Sequence, residues 1–180
     1  MNTIEDAWRW YQGVRDSLGR LHRLGVKHWE ELPRSGAFGR DEKFRGLDGD
    51  EVAEDADAGL RGLDDFAVFV LFSVFEAQVR DRVLADTRQE RAAVSHPALG
   101  YWMRQAELAL SEGSFFRVLD GFKSPAMNDL IEQVNQVRRY RNWVAHGRRD
   151  EPQAEVSPAV AFQRLRSFLD ALPPPPVPNE

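Results

Sequence analysis

The sequence predicts an all-α fold, because its apolar residues recur at helical spacing and no stretch shows the alternation of a strand. Serine–proline pairs and glycines mark several helix ends. A chain of 180 residues with 42% hydrophobic content is long enough for one domain with a real core. We therefore predict one bundle of antiparallel helices over residues 1–172, with a loop insertion over 33–63 and a proline-rich tail over 173–180.

The first helix begins after Thr3, because Thr3 and Asp6 have the spacing of a capping box, and it runs to about Leu32. The next segment, 33–63, is rich in Gly, Asp and Arg and is predicted as a loop with a short helical turn around 52–58. Its acids suggest calcium, but Val52 and Ala53 occupy positions where an EF-hand loop needs an acid and a glycine. We therefore interpret 48–57 as a solvated acidic loop.

The most apolar helix is predicted over Phe66–Asp86. Its first part, Phe66–Phe75, has no polar face for nearly three turns. Such a helix is either the centre of the core or is covered by another chain. The second alternative predicts a homodimer. Glu76 ends the run and is either a carboxylate that supports a functional arginine or a plain surface acid.

Four further helices follow. They are predicted over Pro97–Leu110, over Phe115–Phe122, between Ser124 and Gly147, and from Pro158 to Leu172. The third of these carries a stripe of apolar residues: Met127, Leu130, Ile131, Val134 and Val137. Beyond the stripe the same side of the helix carries Arg138 and Arg141. Asn142 and His146 are one turn apart on the neighbouring side.

The segment Arg141–His146 resembles the R-x4-6-H signature of the HEPN superfamily, all-helical domains that include many metal-independent ribonucleases of toxin–antitoxin and defence systems. All four histidines of the chain follow an arginine at such a spacing, but only Arg141 is followed directly by Asn, as in many family members. The motif also stands near the end of a late helix, as it does in the family. One regulated toxin subgroup has a Tyr two residues after the His, where this chain has Arg148.

The resemblance implies a metal-independent endoribonuclease that acts as a homodimer and leaves a 2′,3′-cyclic phosphate. Arg141, Asn142 and His146 are then the catalytic residues at a shared site. The RNA backbone is guided by four further arginines: Arg138, Arg139, Arg148 and Arg149. The partners expected are RNA, a second copy of the chain, and an antitoxin or defence-system protein.

The composition of the chain bears on metal binding, cellular location and nucleic-acid binding. The chain has no Cys, and its histidines show no metal-ligand spacing, so we expect no metal and no cofactor. The N-terminus lacks the apolar core of a signal peptide and no run is long enough for a membrane span, so a cytoplasmic protein is predicted. The net charge of −5 disfavours nucleic-acid binding over the whole surface but not at a local cluster of arginines. The alternative function is a non-catalytic HEPN-like module that binds a protein, a nucleotide or RNA.

Overall fold

The computed structural model describes residues 1–32, 41, 46–148 and 155–173. These residues form six α-helices and no strand, which confirms the all-α prediction. The helices are α1 (Ile4–Arg23), α2 (Gly49–Ala93), α3 (Pro97–Glu112), α4 (Phe115–Asp120), α5 (Asn128–Ala145) and α6 (Pro158–Ala171). A π-helical turn, Leu24–His28, and a 3-10 turn, Trp29–Glu31, follow α1. The predicted tail lies outside the described residues from position 174 onward, and the HEPN-type arrangement of the bundle stays a prediction.

The chain divides into two compact units. One unit is Trp8–Ala67, and the other combines Met1–Ala7 with Val68–Glu180. The first holds most of α1, the two turns after it and the beginning of α2. The second holds the rest of α2 and α3 to α6. The prediction of one domain over residues 1–172 stays a prediction.

The predicted loop over 33–63 is wrong from Gly49 onward, because α2 begins there and continues through position 63. A capping box starts the helix: the N–H of Glu51 donates to Asp48 Oδ1 at 2.8 Å, and the N–H of Asp48 donates to Glu51 Oε2 at 3.1 Å. Acids near a helix N-terminus are also favoured by its dipole. The residues interpreted as an acidic loop are therefore the capped first turns of a long helix.

Two glycines allow the backbones of the Trp8–Ala67 unit to approach closely. A Cβ added at Gly25 would lie 2.5 Å from the carbonyl oxygen of Gly49 and 2.9 Å from the backbone nitrogen of Ala53. A Cβ at Gly49 would lie 2.5 Å from the carbonyl oxygen of Gly25. Because both obstacles are backbone atoms, no side chain can be moved aside to make room.

We expect Gly25→Ala to destabilise the protein by about 1–3 kcal/mol, since the methyl group must push two backbone segments apart. Gly19→Ala is the matched control, because Gly19 is helical and a Cβ there meets no atom within 4 Å. That control should gain about 0.4–1 kcal/mol from lower chain entropy in the unfolded state. Urea denaturation measures both, and equal stability of the two variants would contradict the close approach.

Tyr11 is buried in the apolar cluster of this unit, against Leu63 and Ala67. Its hydroxyl donates to Asp64 Oδ1 at 2.8 Å, and Nη1 of Arg15 donates to the hydroxyl oxygen at 3.2 Å. Burial, followed by the hydrogen bond and the negative charge of Asp64, raises the pKa of Tyr11 to about 12. The positive charge of Arg15 opposes this shift.

A raised pKa means that the folded state holds the proton more tightly than the unfolded state. The stability contributed by Tyr11 should therefore be complete below about pH 10 and should fall as the pH rises to about 12. Denaturation of the wild type and Tyr11→Phe across this range measures the effect. The advantage of the wild type should shrink with rising pH, and a constant difference would contradict it.

The core of the second unit is built around Phe75 of α2. Its ring lies 5.8 Å from that of Phe115 and 5.6 Å from that of Phe168, both in edge-to-face geometry. The side chains of Val68, Leu71, Phe72, Phe75 and Val79 are buried. One side of the apolar run is therefore part of this core, whereas Phe69, Val70 and Val74 are half-buried, and the homodimer stays a prediction. Phe66, at its start, is 54% exposed.

Helix α6 packs against α5 and holds it in place. The predicted cap is confirmed, because the side chain of Ser157 accepts the N–H of Val160 and Pro158 stands in the first turn. Four residues of α6 are buried: Pro158, Ala161, Leu165 and Phe168. Helix α3 buries none of its residues.

Candidate functional site

Helix α5 positions the residues of the candidate site. The predicted start at Ser124 and Pro125 is early by one turn, because Ser124 accepts the N–H groups of Met127 and Asn128 in a turn that leads into the helix. Of the predicted stripe, Ile131, Val134 and Val137 are buried. The apolar side of α5 is thus anchored, and its last two turns bring the arginines to the edge of the unit.

The predicted end of α5 at Gly147 is confirmed. Gly147 has φ +76, and its N–H donates to the carbonyl of Val144. The next residue, Arg148, has φ +57 and donates its N–H to the carbonyl of Trp143. These two bonds form a Schellman motif, for which glycine suits the left-handed position. This motif fixes the direction in which the chain leaves the helix directly after His146.

Arg141 lies across two aromatic rings of α2. Its guanidinium carbon is 5.0 Å from the ring centre of Phe69 and 5.5 Å from that of Phe72. Nη1 donates to Oδ1 of Asn142 at 3.0 Å. Nε is buried and has no hydrogen-bond partner among the described residues. The guanidinium is thus held by aromatic rings and a neutral amide, and no carboxylate within the described residues offsets its charge.

Arg138, one turn earlier, is held in the same way. Its Nε donates to Oδ1 of the buried Asn135 at 3.2 Å, and its guanidinium carbon is 5.1 Å from the ring centre of Phe116. Burial, and then the positive charge of Arg139, lower the pKa of Arg138. An anion near the Arg138 guanidinium would oppose both effects. Arg138 and Arg141 therefore form a cationic pair without a neutralising acid in the part of the chain that the structure describes.

His146 is exposed at the end of the helix, and its backbone N–H donates to the carbonyl of Asn142 at 2.9 Å. Its imidazole makes no hydrogen bond or ion pair within the described ranges. The structure thus places the imidazole within reach of solvent, on the helix that carries Arg141 and Asn142. In those ranges the side chains of His146 and Arg141 are not joined by a hydrogen bond.

The other predicted arginines differ from one another. Arg139 is exposed and paired with Glu132 on the same helix. The guanidinium carbon of Arg148 is 5.5 Å from the ring centre of Trp143. Arg149 lies outside the described residues. Of the three arginines that the structure describes here, Arg138 is the one that, like Arg141, combines an aromatic ring with a hydrogen bond to an Asn side chain.

Glu76 has a partner on its own helix. Its Oε1 accepts two hydrogen bonds from Arg80, at 3.1 and 2.8 Å. Arg80 also donates to the backbone carbonyls of Leu110 and Gly113 and lies over the ring of Phe115. This cluster joins α2 to the end of α3. A supporting role for Glu76 beside Arg141 stays a prediction.

The remaining histidines lie in other settings. The imidazole of His28 is 3.2 Å from Glu31, and that of His22 is 3.5 Å from Asp57. His96 is in extended conformation between α2 and α3, so it does not share a helix with Arg91, the arginine five residues before it. Of the four Arg–His pairs, only Arg141–His146 has an arginine and an imidazole that both lack an acidic partner among the described residues.

Comparison with known proteins adds no assignment: the chain matches no protein-family model, no curated protein and no solved structure. Within the described residues there is no group of three acids or histidines that could hold a metal ion. None of the described helices has the combination of length and apolar character that a membrane span requires. The candidate site therefore depends on its own residues and their geometry.

Proposed function

We propose that the chain is a metal-independent endoribonuclease of the HEPN type, with its site at the end of α5. The observation that supports this proposal is the environment of the Arg141 guanidinium. Its guanidinium rests on Phe69 and Phe72 and has no acidic partner among the described residues, while the exposed His146 follows on the same helix. Arg141 is half-buried and its Nε is buried without a hydrogen-bond partner, so its guanidinium can receive an anion from outside.

Cleavage requires three tasks: removal of the proton from the 2′-hydroxyl, stabilisation of the charge on the phosphate, and protonation of the leaving 5′-oxygen. The 2′-hydroxyl loses its proton and its oxygen attacks the adjacent phosphorus, while the bond from phosphorus to the 5′-oxygen breaks and that oxygen gains a proton. An imidazole can take or give a proton near neutral pH, which suits His146 to the first or the last task. Arg141 stabilises the charge on the phosphate, because a guanidinium presents a planar set of N–H donors. The products are a 2′,3′-cyclic phosphate and a 5′-hydroxyl.

Asn142 links the two residues. Its side-chain oxygen accepts from Arg141, and its backbone carbonyl accepts the N–H of His146. The amide therefore fixes the guanidinium without cancelling its charge. Its remaining N–H donors can hold a ribose or a phosphate oxygen.

A single imidazole cannot act as base and acid in the same step, so the proposal includes a homodimer in which two sites meet across a two-fold axis. One His146 then serves as the base and the other as the acid. The support for this arrangement is the resemblance of the motif to the HEPN signature and the exposed position of the helix end. The proposed setting is cytoplasmic, in a toxin–antitoxin or defence system, with an antitoxin or defence-system protein as partner.

The second candidate is a non-catalytic HEPN-like module that binds a protein, a nucleotide or RNA. The observation that favours it is the packing of Arg141, because a guanidinium on Phe69 and Phe72 also contributes to the stability of the unit. The two candidates differ in the role of His146. Only the nuclease needs an imidazole at that position.

Cleavage of RNA should persist in EDTA, because the proposed mechanism uses an imidazole and a guanidinium and no metal ion. DNA of the same base sequence should stay intact, since it lacks the 2′-hydroxyl that attacks. Purified protein incubated with both nucleic acids measures the effect. Activity that requires added magnesium, or equal cleavage of DNA, would refute the mechanism.

A further inference from the structure

The exposed ring of Phe116 lies beside the candidate site. Helix α4 is short and buries Phe115, Val118 and Leu119, whereas Phe116 is 39% exposed. One exposed aromatic side chain is ordinary on a protein surface. The groups around this ring are the reason to assign it a role.

Two cations lie near the ring of Phe116. The guanidinium carbon of Arg138 is 5.1 Å from the ring centre, and Nζ of Lys123 is 5.7 Å from it. Lys123 is exposed and pairs with Asp120 at 2.6 Å, whereas Arg138 has no acidic partner among the described residues. An apolar protein partner would have to bury these charges at a cost. A nucleotide offers a flat base to the ring and a phosphate to the cations.

Arg138 also connects this ring to the proposed catalytic residues. Arg138 and Arg141 are three residues apart on α5 and are therefore neighbours on the helix surface. Phe116 lies under the first guanidinium, while Phe69 and Phe72 lie under the second. A strand of RNA that binds at Arg141 thus passes close to the ring.

We infer that Phe116 is a stacking platform for one unpaired base of single-stranded RNA, with Arg138 and Lys123 holding the adjacent phosphate. The inference rests on the proposed function and names its substrate class. The ammonium of Lys123 moves from the ring to the phosphate when the base arrives. A duplex does not satisfy this site, because its bases are stacked on each other and only a splayed base can reach an aromatic side chain.

The probe is a short 2′-O-methyl oligouridylate with one central 2-aminopurine, used single-stranded and annealed to its complement. The 2′-O-methyl groups prevent cleavage, so binding is measured separately from catalysis. We expect Phe116→Leu to weaken binding of the single strand about 5- to 150-fold, the range for the loss of one base–aromatic stack. The fluorescence of 2-aminopurine should be quenched on binding to the wild type and not on binding to Phe116→Leu.

Trp102→Leu is the matched control, because Trp102 is an exposed aromatic residue of α3 in the same unit. It should bind like the wild type. Phe116→Trp should retain both affinity and quenching, which separates loss of the aromatic face from disturbance of α4. Circular dichroism checks that each variant is folded.

Equal binding by the wild type and Phe116→Leu, equal affinity for single strand and duplex, or no binding by the wild type would each overturn the inference. Binding that depends on Phe116 but no cleavage of unmodified RNA would support the platform and overturn the nuclease. Cleavage by the wild type, together with equal RNA binding by the wild type and Phe116→Leu, would support the nuclease and overturn the stacking platform. The two proposals can thus fail separately.

Discussion

Replacement of His146 by Ala is expected to lower the single-turnover rate of RNA cleavage by on the order of 10² to 10⁴, because both proton transfers of the proposed reaction depend on this imidazole. The fold should be retained, since the imidazole is exposed and has no hydrogen bond or ion pair within the described ranges. His96→Ala is the matched control, because His96 is exposed and lies in extended chain before α3. It should cleave at the wild-type rate.

Equal rates for the wild type and His146→Ala would reject the catalytic role of His146.

Mixed dimers test whether two sites share one reaction. Equal amounts of both chains, unfolded and reassembled at random, form about one quarter wild-type dimers. The mixture should therefore have about one quarter of the activity of pure wild type at the same total protein concentration. Independent sites would leave about one half. Light scattering must first show that His146→Ala still dimerises.

The second large effect is expected at Arg141. Arg141→Met keeps an apolar side chain over Phe69 and Phe72 but removes the charge, so the cleavage rate should fall by on the order of 10² to 10³, as for the loss of one donor to a developing anion. Arg141→Lys should restore only part of the rate, because an ammonium lacks the planar fork of donors. Arg166→Met is the matched control, since Arg166 is an exposed arginine of α6 paired with Asp170.

The unfolding temperature of Arg141→Met distinguishes a catalytic role of Arg141 from a role in packing. The nuclease predicts that Arg141→Met unfolds close to the wild-type temperature and cleaves far more slowly. The non-catalytic module predicts the opposite, a lower unfolding temperature with no cleavage by either protein. A variant that is folded and cleaves at the wild-type rate would remove Arg141 from the mechanism.

Local signals predicted much of the fold. Thr3, Ser157 and Gly147 occur at helix ends as their capping chemistry requires, because these interactions involve residues within one turn of each other. The loop predicted after Asp48 was wrong, because the Gly and Asp content of this segment is typical of loops although the segment is helical. The capping box of Asp48 and Glu51 was present in the sequence, three residues apart, and could have indicated the helix.

The site could be predicted only in part. The motif and its position at a helix end follow from the sequence, and the three-residue spacing of Asn135 and Arg138 could have indicated their hydrogen bond. The rings under Arg141 could not be predicted, because Phe69 and Phe72 are about 70 positions away along the chain and meet it only through tertiary packing. The ring of Phe116 beneath Arg138 could not be predicted either, because it also depends on tertiary packing.

In the proposed reaction, His146 and Arg141 act on the 2′-hydroxyl and its adjacent phosphate. The most direct test is mass spectrometry of the fragment ends that the purified protein leaves on a defined single-stranded RNA in EDTA. We expect 2′,3′-cyclic phosphate and 5′-hydroxyl ends from the wild type and from His96→Ala, and intact RNA from His146→Ala over the same time. Intact RNA with the wild type, fragments with 3′-hydroxyl ends, or the same fragments from His146→Ala would refute the proposed reaction.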